Sequence, residues 1–291
     1  MPMSPRLLRP RQTIHPEAAD WANRVRTNGG SVSGTTLSAV DRFVKAIHAA
    51  GIRDRFYRLN LFAGNSDASL NAVRTPLFRG PSLTGTQFGN ATDTNNNFGP
   101  GDYAETGAGA GLTGNGSTKF LRTGFSPFAA GLVETNTHQS AYLPSLGGLG
   151  GGYMAHGAFQ LPSAVTAWSL SPAYGGGNLF YRSGGTQNLI TASYSAAKTG
   201  HVLAQRTGAA SAAAYHRGVL MSGTINLAGD AAWTATNNPG LTAVFARSEG
   251  GAYWYQGTLA GYSMGLSMTA AQVSLFNDAM QAFQTALGRQ V

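Results

Sequence analysis

From Gly64 onward, short apolar segments recur about every ten residues, and Gly- and Asn-rich clusters separate them. Gly89-Asn90, Asp93 to Gly101 and Gly107 to Gly116 are such clusters. This spacing leaves little room for long helices and predicts an all-β sandwich or barrel. Strands are expected at Lys119–Arg122, Gln139–Leu143, Tyr153–Phe159, Val165–Leu170, Leu179–Arg182 and Leu189–Tyr194. Further strands are expected at His201–Arg206, Ala213–Leu220, Leu241–Ala246, Tyr253–Tyr255 and Leu259–Met264. No repeat of fixed period is visible, which argues against a propeller or solenoid.

The ends read differently. Three prolines in residues 1–15 disfavour helix and predict an extended arm. Pro16 suits the first turn of a helix that carries Ala18, Trp21, Ala22 and Val25 on one face. A second helix is expected from about Thr36 to Ala50, and Phe56, Leu59 and Phe62 suggest a short third over Ile52–Leu61. At the far end, Thr269 and Gln272 form a T-x-x-Q capping box ahead of an apolar face of Val273, Phe276, Met280, Phe283 and Leu287. The expected organisation is an extended basic arm (1–15), a helical segment (16–63), and a β-sandwich with a closing C-terminal helix (64–291).

Charge narrows the function classes. Asp, Glu, Lys and Arg make up 11% of the 291 residues, and the net charge is +8. Residues 1–60 account for +6 of it, so a basic segment precedes a nearly neutral body. Such an arm suits an acidic partner surface, whereas nucleic acid is a poor fit because three arginines give only weak, salt-sensitive phosphate binding. With no cysteine there are neither disulfides nor thiolate sites, and no apolar run of about 18 residues suggests a spanning helix.

Catalytic patterns are incomplete. Ser195 to Lys198 matches S-x-x-K and Lys198-Thr199-Gly200 matches K-T-G, but the two share one lysine and no S-D-N lies between them. Gly111 to Lys119 and Gly147 to Gly152 lack the order of a phosphate loop and read as tight turns. Asp93 to Asn97 resembles the start of a calcium loop, but Phe98 and Ala104 stand where Gly and Glu are required, so an Asx turn is expected. The six histidines show no i, i+2 or i, i+4 pairing, and the eight carboxylates beyond residue 60 do not cluster. No catalytic residue, cofactor or metal site is expected. In Tyr253-Trp254-Tyr255, strand alternation would offer an aromatic surface to a subunit contact or a glycan.

Three stretches carry a resemblance: Asp41–Ile52 leading into Leu59–Gly64; Asp102–Gly107 with Gly111–Leu121; and Leu241–Arg247 with Gly257–Ser263 and the capped helix after Thr269. Together they resemble tailed-bacteriophage virion proteins with a concanavalin A-like, laminin-G-type jelly roll. The resemblance implies a mainly β fold, a two-sheet antiparallel jelly-roll sandwich, with a structural or adhesive role and no catalytic residues. It implies a virion location after synthesis in a host cytoplasm. Expected partners are copies of the chain and other virion proteins, with a host surface glycan as the alternative and no membrane insertion. Arm residues Arg6, Leu7, Leu8, Arg9, Arg11 and Ile14 are the expected assembly contacts.

Overall fold

A computed structural model describes residues 13–65, 70–147, 155–159, 166–174, 178–185, 189–193, 198–227, 232–250 and 253–291. In chain order these form α1 (Pro16–Thr27), α2 (Gly34–Ala49), β1 (Phe56–Asn60), α3 (Asn71–Arg74), β2 (Thr94–Asn96), β3 (Leu112–Asn115) and β4 (Phe120–Arg122). Next come β5 (Thr137–Leu143), β6 (Ser145–Leu146), β7 (His156–Phe159), β8 (Thr166–Tyr174), β9 (Asn178–Gly185) and β10 (Leu189–Ser193). The chain continues with β11 (Gly200–Gly208), β12 (Ser211–His216), β13 (Val219–Leu220), β14 (Gly223–Asn226), β15 (Ala243–Val244), β16 (Gln256–Leu259), β17 (Gly261–Gly265) and α4 (Ala270–Ala286).

Three antiparallel sheets result: six strands in the order β1-β17-β5-β11-β12-β13, eight in the order β14-β10-β9-β8-β7-β15-β4-β2, and three in the order β3-β16-β6. Strand alternation sorts the core into two layers. Ala141, Leu143, Val202 and Ala204 point from the six-stranded sheet toward Trp168, Leu170, Leu179 and Tyr181 of the eight-stranded one. Their neighbours Tyr142 and Leu203 point the other way, onto Phe43 of α2 and Phe276 and Phe283 of α4. The molecule is therefore a mainly β sandwich with helices covering the outer face of one sheet.

The helices begin where their caps place them. Ser33 Oγ accepts from Thr36 N at 3.0 Å. The Thr269–Gln272 capping box is formed as the sequence indicates. Trp21 ties α1 to the body, its Nε1 donating to Thr75 O at 3.0 Å.

Several expected elements differ. Residues 52–61 do not form a third helix; after a single 3-10 turn at Arg53–Arg55 the chain enters β1. The pairing of β1 with β17 slips between Phe56 and Arg58, a β-bulge at Tyr57. The bulge puts Phe56 and Leu59 on the same face, toward the helices, which reproduces an i, i+3 spacing within a strand. Because β1 lies in the six-stranded sheet, residues 16–63 are not a purely helical segment, and a boundary at 63/64 separates two paired strands.

Ala213–Leu220 is a hairpin, turned at Arg217 (φ +50°) and Gly218 (φ +77°). Leu259–Met264 divides between two sheets at Ala260, and only Ala243–Val244 of Leu241–Ala246 is a strand. Tyr253–Tyr255 is not a strand either; Tyr253 adopts φ +53°.

Candidate functional site

The two large sheets end side by side, at β13 in one and β14 in the other, and only Met221 and Ser222 separate these edge strands in sequence. Here the surface is apolar: Val219 is 70%, Leu220 63% and Ile225 47% exposed. A groove of about 420 Å³ runs beside them, lined by Ala212–Tyr215, Leu220, Met221 and Ile225. Edge strands with exposed branched side chains are where a second chain can add.

A second aromatic surface lies in the segment before β16. Tyr253 is 48% exposed and Trp254 is half-buried, with the Arg247 guanidinium 4.5 Å from the Tyr253 ring centroid. Tyr255 does not join them. Its ring packs near Phe245 in the core, and its hydroxyl donates to Ser145 O at 3.3 Å. The alternation expected to set Trp254 opposite Tyr253 and Tyr255 is absent, because the segment is not a strand, and the aromatics that reach the surface are Tyr253 and, in part, Trp254. Of the arm contacts, Arg6, Leu7, Leu8, Arg9 and Arg11 lie outside the described residues, and Ile14 is 44% exposed.

The polar residues singled out by motif serve the interior instead. Asp93 faces inward and is fully buried against Arg58. Arg58 Nε donates to Tyr262 Oη at 3.1 Å, which in turn donates to Asp93 Oδ2 at 2.9 Å. Burial resists charging Arg58, but the Asp93 carboxylate outweighs it and holds the guanidinium firmly protonated. Asp93 is therefore bound up within the protein, and the Asn95 side chain closes the turn after it, accepting from Phe98 N at 3.0 Å and donating to Phe98 O at 2.8 Å.

Lys119 pairs with Asp102 at 2.5 Å, while Asn115 Oδ1 accepts from the backbone of Ser117, Thr118 and Lys119 to close the glycine-rich turn. Glu105 accepts from Gly64 N, Glu134 from Trp233 N and Glu249 from Gly124 N. Asp67, Asp230, Ser195 and residues 148–152 of the second glycine-rich run lie outside the described residues.

His138, His156 and His201 are buried, and burial lowers their pKa values to about 4, about 3 and about 3. His138 Nδ1 meets Leu266 O at 2.7 Å, so it must carry the proton, and Nε2 accepts from Ser263 Oγ at 2.8 Å. A serine hydrogen-bonded to a neutral histidine has the make-up of a nucleophile and base, but this pair sits fully buried under α4. Arg206 and Arg289 are likewise interior: Arg206 donates to Ser183 O, Gly208 O and Ala209 O, and Arg289 to Leu61 O and Phe62 O. No sequence signal marks these arginines; Ser183 lies 23 residues from Arg206, and Leu61 and Phe62 lie 228 and 227 residues from Arg289. Among the described residues, no helix is long and apolar enough to cross a membrane.

No protein-family model and no curated protein matches the chain. Solved structures do. One is domain 4 of AbnA, an extracellular arabinanase from Geobacillus stearothermophilus, in complex with arabinotriose: TM-score 0.48, 16% identity, 78% of this chain and 98% of that one. The binding domain of Paraclostridial Mosquitocidal Protein 1 gives a TM-score of 0.45 at 10% identity, over 81% of this chain and 56% of that one. A Trypanosoma rangeli sialidase gives 0.40 at 10% identity over 88% of this chain, which spans 40% of the sialidase chain.

Proposed function

We propose that this chain is a non-enzymatic structural subunit that acts in many copies, and that the assembly is a tailed-phage virion, at its tail, baseplate, fibre or capsid surface. The observation that carries the multi-copy reading is the exposed apolar edge at Val219, Leu220 and Ile225, where both large sheets terminate. The virion assignment rests on the sequence resemblance. The basic residues 1–12 supply the second contact in this reading, reaching from one subunit to the next with Arg6, Arg9 and Arg11 meeting carboxylates or carbonyls.

Light scattering coupled to size exclusion tests the multi-copy part. The full chain should self-associate, and replacing Val219, Leu220 and Ile225 by lysine, or deleting residues 2–12, should leave a folded monomer. A full chain that stays monomeric at high concentration would remove this reading. Particles purified from cells producing the chain should carry it at high copy number; its absence from them would remove the virion assignment alone.

The second reading is adhesion to a host glycan. Tyr253, with the half-buried Trp254 next to it, favours it, because an exposed aromatic beside a cation is suited to sugar rings and their hydroxyls. A glycan array tests it: binding should occur and should fall at least about tenfold in Tyr253→Ala.

A further inference from the structure

Three potential metal ligands meet where α1 starts and α2 ends. His15 caps α1, Glu17 lies in its first turn, and His48 lies in the last turn of α2. One ligand atom from each lies within 4.8 Å of the other two. His48 Nε2 is 2.8 Å from Glu17 Oε2, and the two imidazole rings lie 4.3 Å apart at 38°. Helical periodicity hides this set, since 31 residues separate Glu17 from His48.

We propose that His15, Glu17 and His48 bind a divalent transition ion of the zinc class, with water completing a tetrahedron. Two neutral imidazoles and one carboxylate, with a fourth position open to solvent, make a known zinc donor set. Bonds of about 2.0–2.1 Å at a tetrahedral angle place ligand atoms roughly 3.3 Å apart, so the His48–Glu17 pair has only to open by about half an ångström.

The surroundings already hold the carboxylate in place. Arg53 Nε lies 2.9 Å from both Glu17 oxygens while its Nη1 donates to Gly80 O, which fixes the carboxylate from the inner side. The side chain of His48 is 40% exposed, so the outer side is open to an ion and its water. Binding displaces two contacts, the 2.8 Å bond between His48 Nε2 and Glu17 Oε2 and the 3.3 Å cap bond from Glu17 N to His15 Nδ1. A bound ion would tie the start of α1 to the end of α2.

The experiment is calorimetric titration of the full chain with Zn²⁺, alongside the visible spectrum of Co²⁺ added in its place. One ion per chain with intense tetrahedral Co²⁺ bands is expected, and His48→Ala should weaken affinity by at least about tenfold. His15→Asn keeps a capping side chain while removing the imidazole, and should weaken it similarly. Absence of saturable Zn²⁺ binding, an octahedral Co²⁺ spectrum, or equal affinity in both variants would overturn the site and leave an ion-pair cluster only.

Discussion

Individual residues in this protein are polar where a sandwich interior is usually apolar, and the acid response follows from that. His138, His156 and His201 are held neutral by burial, with pKa values of about 4, about 3 and about 3 against an ordinary 6.5. Between pH 6.5 and about 4 the unfolded chain binds protons that the folded chain refuses, so stability is complete above that range and falls as pH drops through it. Each histidine contributes about 1.4 kcal/mol per pH unit, and the three together about 4 at the steepest. Urea midpoints recorded from pH 7 to pH 5 should therefore fall steeply, and His201→Gln should reduce the slope by about a third. The Arg58–Asp93 pair gives a second test. Arg58→Met strands a buried carboxylate and should cost about 3–5 kcal/mol, read by the same urea midpoints at pH 7. Adding Asp93→Leu should recover part of that loss, because the uncompensated charge is then gone.

Among the elements, β1 shows how a strand can imitate a helix. Its bulge at Tyr57 sets Phe56 and Leu59 on one face, and the pairing is close enough that β17 must present a glycine there. A Cβ on Gly265 would lie 1.9 Å from Arg55 O, a backbone atom that cannot move without shifting β1. Gly265→Ala should therefore destabilise the fold by roughly 3 kcal/mol, at the upper end for overpacking. Gly101→Ala, where a Cβ meets nothing within 4 Å, should stay within about 0.5 kcal/mol. The urea midpoints of the two variants compare them directly.

For the whole molecule, the order of layers decides what can be removed. The helices cover the outer face of the six-stranded sheet, and β1 pairs β17 inside it. A fragment of residues 64–291 would expose Phe276, Phe283 and Leu203 together and leave β17 unpaired on one side. It should aggregate or bind a hydrophobic dye, and limited proteolysis of the full chain should yield no stable product that starts near residue 64. Deletion of residues 2–12 should do neither, because α1 and its cap begin at His15.

The sequence by itself determined those features that local physics controls. Turn chemistry and spacing specified a mainly β body, the capping box placed the start of α4, and apolar periodicity marked α1 and α2. What it left open was set by contacts between distant segments. Phe56, Leu59 and Phe62 satisfy a helical period as well as a bulged strand does, and only pairing with β17 selects the strand. Asp93 reads as part of a polar turn until Arg58 and Tyr262, 35 and 169 residues away, draw it inside. Tyr255 differs from Tyr253 only through the backbone path that buries it against Phe245. Likewise, no local pattern links His15 and Glu17 to His48. Such groupings depend on which strands and helices become neighbours, a choice that the burial of the whole core makes and no single stretch of residues encodes.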